Sequence, residues 1–330
     1  MRRIFRLLVV TLALALTISS CGSADGTREP AGETTEQGFQ KVYHVYGETE
    51  APTDPQRVVV LNNSVVLGTA LLLDVPIVGY PVAPYKSDLL PYFDKSKLAA
   101  ARNVVGAGSV TQPNIEAVAA TRPDLIIGTT AFIDEYVYNR LVEIAPTVVF
   151  EHNTNDPEWK EPLRRTATVF QGTATIEKRM AEYEGRVEEI RTALGEQSEI
   201  REVTLANLRA LGDIRISSAA TCSGATLEEL GFTRPPGQRG TEEIKLSIER
   251  LRELDADALL YYVGSTATDP EEAAQAVKVI TSHPLWDTLG VVQSGQVFQV
   301  DPDHWFTCGT LQAQHLILDD IERIFLGNPQ

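Results

Sequence analysis

Residues 57–64 have the sequence Arg-Val-Val-Val-Leu-Asn-Asn-Ser, in which four apolar residues are followed by three polar ones. The apolar run is short and rich in β-branched residues, which favours a buried strand. The Asn-Asn-Ser tripeptide favours a turn or a helix cap, and the apolar stretch 65–73 after it predicts a helix. This succession of strand, turn and helix is the unit from which α/β proteins are built.

The same succession recurs through the N-terminal half of the chain. Strands that alternate with helices indicate a parallel sheet with helices on both faces. In such sheets, ligands bind beyond the carboxyl ends of the strands. Further strands are predicted at residues 75–80, 103–106, 123–128 and 147–150, and helices at 115–121 and 131–144.

The pattern changes at residue 159. From there to residue 197, apolar residues recur every three to four positions, which predicts a long amphipathic helix with a break near Gln171 and Gly172. Strand-like runs resume at residue 202. We therefore predict an α/β fold with two Rossmann-like lobes, each with a central, mostly parallel sheet, joined by the helix across a ligand cleft. The predicted boundaries are an N-terminal lobe at 41–158, a connecting helix at 159–198 and a C-terminal lobe at 199–330.

The two halves share a short internal repeat. In each half an N-cap residue is followed by an Ile-Glu pair, and an Asp then precedes an apolar strand. This repetition indicates that the two lobes are built alike. The identities recur 133 positions apart and are Ile115 with Ile248, Glu116 with Glu249, and Asp124 with Asp257.

Composition excludes several classes of protein. The 330 residues are 43% hydrophobic and carry a net charge of -16, which argues against a disordered chain and against a nucleic-acid binder. The sequence contains no nucleophile elbow, phosphate-binding loop or zinc-binding helix motif, and no two histidines have the spacing of metal ligands on a helix. We therefore expect no enzymatic activity, no resident metal and no cofactor.

The N-terminus predicts export. Three arginines precede the apolar run 7–18, which is typical of a signal peptide, here assigned to residues 1–20. Residues 18–21 (Ile-Ser-Ser-Cys) resemble the lipobox of bacterial lipoproteins, which implies acylation of Cys21. Residues 21–40 lack an apolar face and predict a flexible tether. The mature protein is expected to be extracytoplasmic and lipid-anchored to the cell membrane.

The other two cysteines are Cys222 and Cys308. Because export places the protein in an oxidising compartment, we predict that they form a structural disulfide. The alternative is a pair of buried thiols.

Polar and aromatic residues follow several of the predicted strands. Aromatic surfaces suit a bulky organic ligand, and Arg209, at the end of the strand at 202–208, offers a planar fork of donors to anionic oxygens. A surface ion pair is the alternative role for Arg209. The predicted ligand-binding residues are Asn63, Tyr80, Tyr85, Thr130, Phe132, Tyr136, Arg209, Tyr262 and Trp305.

A series of segments, taken in order, resembles one family. They are residues 57–61, 114–118 and 122–127 in the first lobe, and 208–209, 214–216, 227–232, 234–236, 284–286, 295–297 and 300–301 with Trp305 in the second. In this order they are similar to the ferric-siderophore-binding lipoproteins of bacterial ABC importers, a helix-linked class of periplasmic-type binding proteins.

The resemblance implies a monomer that binds an Fe(III)-siderophore and delivers it to an ABC permease dimer. It implies that Glu116 and Glu249 dock to the two permease subunits, that Arg209 contacts the siderophore and that Trp305 lines the cleft. Attraction to a helix N-terminus is the alternative role for the two glutamates. Haem and cobalamin are alternative ligands, because the same class also binds them.

Two other hypotheses belong to different classes of protein. An extracytoplasmic enzyme would use His304, Asp301 and Asp303 as acid–base groups. A scaffold protein would have no small ligand.

Overall fold

Two five-stranded sheets form the framework of the protein in the computed structural model, which describes residues 34–35, 38–81, 91–104, 112–151, 158–240, 242–264 and 269–327. Cys21, Tyr85 and the predicted signal peptide lie outside the described residues. Residues 31–330 form one compact unit. The strands are β1 Thr34–Thr35, β2 Phe39–His44, β3 Gly47–Pro52, β4 Val58–Leu61, β5 Ile77–Tyr80, β6 Arg102–Asn103, β7 Leu125–Thr129, β8 Thr147–Phe150, β9 Val203–Leu208, β10 Ile214–Ile216, β11 Ile244–Leu246, β12 Ala258–Val263 and β13 Val297–Gln299.

Helices cover and connect these sheets. The α-helices are α1 Val65–Leu72, α2 Ile115–Ala120, α3 Glu135–Leu141, α4 Lys160–Val169, α5 Thr173–Gln197, α6 Cys222–Glu229, α7 Pro270–Thr281, α8 Gly290–Gln293, α9 Pro302–Trp305 and α10 Leu311–Ile321. Short 3-10 segments lie at Lys95–Leu98, Ala210–Gly212, Pro236–Gln238, Ile248–Leu254 and Trp286–Thr288, and a π-helical turn at Glu322–Leu326 follows α10.

The N-terminal sheet has the order β6-β5-β4-β7-β8, and its strand pairs are parallel throughout the described residues. Strand β4 lies at its centre and is completely buried. The predicted strand, turn and helix of residues 57–73 are therefore observed as β4 and α1.

The C-terminal sheet, of order β11-β10-β9-β12-β13, departs from the prediction of mostly parallel pairing. Strands β9, β12 and β13 are parallel, whereas β10 is antiparallel to both β9 and β11. The reason is the short connection: one 3-10 turn, Ala210–Gly212, separates β9 from β10. A parallel pair would need a crossover of a dozen or more residues.

The N-terminal segment is ordered earlier than predicted. The tether was predicted to extend to residue 40, but β2 begins at Phe39 and pairs with β3 in an antiparallel hairpin. Gln40 is buried, and its side-chain amide donates to the carbonyl of Val169 at 2.6 Å. The hairpin therefore belongs to the folded body.

The predicted connecting helix consists of two helices, α4 and α5. They are separated at Gln171, which has a left-handed φ of 53°. Gly172 follows because a Cβ atom there would lie 2.4 Å from Cδ1 of Leu73. The helical axis can therefore change direction where α4 packs beside α1.

Helix α5 is packed into the body of the protein along its length. Its buried residues, Ile176, Met180, Tyr183, Val187, Ile190 and Leu194, belong to one apolar cluster. The same cluster includes Val58 and Leu125 of the first sheet and Val203 and Leu260 of the second. One continuous core therefore joins both lobes to the helix.

A disulfide joins Cys222, at the start of α6, to Cys308, just before α10. Both residues are buried, and their Cα atoms are 5.6 Å apart. The bond anchors the segment before α10 to the C-terminal lobe.

We predict that the double variant Cys222→Ser/Cys308→Ser unfolds at a lower urea concentration than the wild type. The disulfide closes a loop with a sequence separation of 86 residues, for which chain entropy gives a stabilisation of about 4.5 kcal/mol as an upper figure. Urea unfolding with and without dithiothreitol measures the effect. Reductant should lower the wild-type midpoint and leave the double variant unchanged; equal midpoints under oxidising conditions would contradict the prediction.

Candidate functional site

The turn after β4 is fixed by a buried asparagine. Asn62 Oδ1 accepts hydrogen bonds from the backbone N–H groups of Ser64 and Val66, each at 3.0 Å, and its Nδ2 lies 3.3 Å from Oγ1 of Thr129 on β7. The next residue, Asn63, is therefore turned outward and is exposed. Sequence reasoning selected Asn63 for the site, and the structure gives Asn62 the supporting role.

The two lobes touch at the N-terminal ends of α1 and α10. Gln312 Nε2 donates to the carbonyl of Gly68 at 3.0 Å. A Cβ at Gly68 would lie 3.2 Å from Thr310 and 3.3 Å from Phe93, so glycine permits this close approach. The Tyr92 hydroxyl donates to the carbonyl of Thr307 at 3.2 Å. The carboxyl end of β4 is thereby brought against the segment 307–312 of the other lobe.

In the C-terminal lobe, Tyr262 lies close to the carboxyl ends of β9 and β12. Its hydroxyl lies 3.2 Å from Oγ of Ser217, and its ring centroid is 6.2 Å from that of Phe306. Burial raises the pKa of Tyr262, hydrogen bonding to Ser217 opposes the shift, and the nearby charges of Glu243 and Arg209 act in opposite directions. Tyr262 is only 5% exposed, so it presents little surface to a ligand.

Asn207 is a polar residue near these strand ends that sequence reasoning missed. It lies beside Tyr262 in the strand register, and it is 3% exposed. Its Oδ1 is buried and has no hydrogen-bond partner within the described chain. Its position two residues before Arg209 on β9 places both on the same face of the strand, which is the signal that could have found it.

Arg209 lies at the carboxyl end of β9, as predicted, and lines a cavity of about 330 Å³. Its guanidinium makes no hydrogen bond or ion pair with any described residue, and the side chain is partly exposed. The structure therefore contradicts the alternative of a surface ion pair. The other lining residues are Leu208, Ala210, Asp213, Val263, Gly264, Glu272 and Ala276.

A neighbouring arginine, Arg215, forms ion pairs with two carboxylates. Arg215 Nε lies 2.8 and 2.9 Å from the two carboxylate oxygens of Asp213, and its Nη1 lies 2.7 Å from Oε1 of Glu243. Hydrogen bonding to Arg215 is the main cause that lowers the pKa of Asp213, and the charge of Arg209 adds to it. Sequence reasoning missed this cluster, although Asp213 and Arg215 are two residues apart at one strand end and so share a face.

Two predicted ligand contacts are wrong. Trp305 is 0% exposed, and its indole N–H donates to Oδ2 of Asp320 at 2.8 Å. Phe132 is 8% exposed and packs in the cluster that contains Leu61 and Val118. Phe132 lies in the turn after β7, and Trp305 is the last residue of α9; both side chains are directed into the core. Neither can line a cleft.

The remaining predicted residues are placed differently from one another. Tyr80 and Thr130, at the carboxyl ends of β5 and β7, are half-buried. Tyr136 is 70% exposed in the first turn of α3 and does not lie at a strand end. Asn63, Tyr80, Thr130 and Arg209 are thus the predicted residues that retain accessible surface at strand ends.

Two residues of the enzyme hypothesis, His304 and Asp301, make contacts that hold the structure together. His304 Nε2 lies 2.8 Å from Oδ2 of Asp320, and the His304 side chain is 12% exposed. The Asp301 carboxylate accepts from the N–H of Asp303 at 2.9 Å as the cap of α9. Imidazole and carboxylate are therefore committed to contacts that hold α9 and α10.

The internal repeat of the sequence corresponds to a repeated structure. Asp124 accepts from the N–H groups of Gln56 and Arg57 at 2.7 and 2.9 Å, just before β4. In the second lobe, the carboxylate of Asp257 accepts from the N–H groups of Arg201 and Glu202 at 2.9 and 2.8 Å, just before β9. Each aspartate thus joins the start of its own strand to the start of the central strand.

Glu116 and Glu249 occupy matching places in the two lobes. Each is exposed in the first turn of a helical segment, and that segment leads into β7 or β12. Hydrogen bonding to Ser247 lowers the pKa of Glu249, so this carboxylate is held in its charged form. The lobes therefore present one exposed carboxylate each at equivalent positions.

Metal ligation and membrane insertion are two further properties of the described residues. Among them, there is no group of three or more His, Cys, Asp or Glu side chains arranged to hold a metal ion. No helix in the described ranges has the length and apolar character needed to cross a membrane.

Comparison with known proteins gives consistent matches. A family model described as "Periplasmic binding protein" matches residues 58–304. The Bacillus subtilis "Probable siderophore-binding lipoprotein YfiY" is 32% identical over 99% of both chains. The Bacillus subtilis "Fe(3+)-citrate-binding protein YfmC" is 24% identical over 92% of this chain and 91% of its own.

A solved structure shares the fold. The crystal structure of Staphylococcus aureus SirA complexed with staphyloferrin B superimposes with a TM-score of 0.72 at 24% identity, covering 86% of this chain and 97% of SirA.

Proposed function

The chain belongs to the periplasmic binding protein family, and from this we propose that it captures an Fe(III)-siderophore and delivers it to an ABC permease for iron uptake. The observation that carries the proposal is the 32% identity, over 99% of both chains, to a relative named as a siderophore-binding lipoprotein. The name of a second relative, over 92% of this chain, specifies binding of Fe(3+)-citrate.

The proposed binding mode follows from the chemistry of the cargo. Iron in a siderophore already has its oxygen ligands, so the protein recognises the shape and charge of the chelate and supplies no ligand to iron. Arg209 supports this mode because it lines a cavity and its guanidinium pairs with no residue in the described ranges. A guanidinium matches carboxylate, catecholate or hydroxamate oxygens with two donors in one plane. Asn63, Tyr80 and Thr130 add accessible polar and aromatic groups at strand ends.

The protein's location is part of the proposal. We propose that the thiol of Cys21 is acylated after removal of residues 1–20, so that the folded body is held at the outer face of the cell membrane. Two relatives are named as lipoproteins, at 32% and 24% identity over nearly the whole chain. The protein then acts as a monomer tethered beside its permease.

We further propose that Glu116 and Glu249 dock the loaded protein onto the permease. The support is their matching, exposed positions in lobes of repeated construction. Two equivalent carboxylates suit two equivalent basic sites, one on each subunit of a permease dimer. Charged groups at the rim of such an interface govern mainly the rate of association.

Isothermal titration calorimetry with ferric citrate, a ferric catecholate, a ferric hydroxamate and haem tests the proposed function. Calorimetry is suitable because all three tryptophans are buried and report poorly on a surface site. We expect at least one ferric chelate to bind far more tightly than its iron-free form, and haem not to bind. Tight binding of haem, or the absence of binding to any chelate, would contradict the proposal.

We predict that Arg209→Gln weakens binding of that chelate by about 10- to 100-fold, since hydrogen bonds to a charged group contribute about 1.5–3 kcal/mol. Arg239→Gln is the matched control, because Arg239 pairs with Glu202 at the opposite end of β9. The control should change the Kd by less than about twofold. Equal losses in both variants would exclude a direct role for Arg209.

We predict that Glu116→Gln and Glu249→Gln each slow siderophore-dependent iron uptake by cells about 3- to 10-fold, because each removes one charge from the docking face. The Kd for the siderophore should remain unchanged, since neither residue lies at the strand ends that bind it. Glu189→Gln, at an exposed position on α5, serves as the control. Normal uptake by the double variant Glu116→Gln/Glu249→Gln would exclude the docking role.

A further inference from the structure

Four charged residues meet at the turn between β9 and β10. Asp213 and Arg215 lie on the β10 side, Arg209 lies on the β9 side, and Glu243 directly precedes β11. The backbone N–H of Arg209 donates to the carbonyl of Asp213 at 2.9 Å, so these two residues face each other across the turn. Two cations and two anions therefore share one small surface.

The pairing within this group is unequal. Arg215 contacts both oxygens of Asp213 at 2.8 and 2.9 Å and Glu243 at 2.7 Å. The guanidinium of Arg209 contacts neither carboxylate, although Arg209 and Asp213 line the same cavity. The charges of Glu243 and Arg209 both act on the pKa of Tyr262, so all three side chains lie in the same region. Arg215 thus pairs with both carboxylates, and Arg209 pairs with neither.

Removal of Arg215 would change this balance. Asp213 and Glu243 would lose their partner, and the cations that already act on Asp213 are Arg209 and Lys245. Opposite charges at such separations attract, particularly at a partly buried surface. Arg209, which lines the same cavity as Asp213, would then form the ion pair that Arg215 now satisfies, and the net charge of the four residues would change from zero to −1.

Two other charged residues lie nearby. Glu272 lines the cavity with Arg209 in the first turn of α7, and Lys245 lies opposite Arg215 in the strand register. Both are exposed, and neither forms an ion pair with any residue that the structure describes. Glu272 is thus a further carboxylate on the cavity of Arg209, and Lys245 is a further cation that acts on Asp213.

We infer that Arg215 is a positioning residue that holds Asp213 and Glu243 away from Arg209 and so makes the cavity at Arg209 selective for an anionic ferric chelate. The selectivity rests on the proposed function, whereas the state of Arg209 can be measured without any siderophore.

The first measurement is the rate at which phenylglyoxal modifies Arg209, followed by peptide mass spectrometry, with exposed Arg140 as the internal reference. A paired guanidinium reacts more slowly than a free one, so Arg215→Gln should slow the modification of Arg209 about 3- to 10-fold. Arg215→Gln/Asp213→Asn should recover part of the rate, and Arg215→Gln/Asp213→Asn/Glu243→Gln the rest. Arg239→Gln controls for loss of one paired cation, and thermal unfolding checks that each variant is folded.

The second measurement is calorimetric titration of the same variants with anionic ferric citrate and with a ferric trihydroxamate that carries no negative charge. Arg215→Gln should weaken binding of the anionic chelate about tenfold, by loss of the contact to Arg209. Binding of the uncharged chelate should change by less than about twofold. The triple variant should restore binding of the anionic chelate.

The outcomes distinguish the pairing role of Arg215 from the selectivity for anionic chelates and from the proposed function. An unchanged rate of Arg209 modification in Arg215→Gln overturns the inference, whatever the protein binds. Slower modification together with equal losses for both chelates overturns the selectivity. Slower modification in a protein whose wild type binds no ferric chelate overturns the proposed function and the selectivity, and leaves the pairing role of Arg215 supported.

Discussion

The structure depends on one hydrophobic core that both lobes share. Residues from the two sheets and from α5 belong to the same cluster, and buried Tyr183 lies within it. The Tyr183 hydroxyl reaches Glu229 on α6 at 3.1 Å and Gln314 on α10 at 3.3 Å. Separating the lobes would expose this cluster to water, at about 25 cal/mol for each Å² of apolar surface. The lobes are therefore held in a fixed relation, and the surfaces between them are formed before any ligand arrives.

The two lobes that share this core are built in a similar way. Asp124 and Asp257 each hold the start of a central strand, and Glu116 and Glu249 each lie in the first turn of the helical segment that precedes the neighbouring strand. The repetition is not complete, because the second lobe replaces a parallel crossover with the short turn that leads from β9 to β10. That turn is also where Arg209 and Arg215 meet. The departure from symmetry therefore creates the charged surface for which we infer ligand selectivity.

Much of the architecture could be predicted from the sequence, because strands, helices and the break at Gln171 leave periodic or local signals. The position of Arg209 at a strand end was predicted for the same reason. Side-chain direction could not be predicted: Trp305, at the end of α9, and Phe132, after β7, are both buried in the core. The pairing of Arg215 with Glu243 depends on β11, which is distant in sequence. Such tertiary ion pairs have no local signature.

The central claim is that a shared core keeps the lobes in one arrangement. Pulsed electron paramagnetic resonance with spin labels at Arg140→Cys and Gln275→Cys, in a Cys21→Ser background, tests it most directly. Both positions are exposed, one on α3 of the first lobe and one on α7 of the second. The account predicts that the distance between the labels changes by less than about 2 Å when a ferric chelate binds. A broad distribution in the free protein that narrows and shifts well beyond that on binding would contradict it.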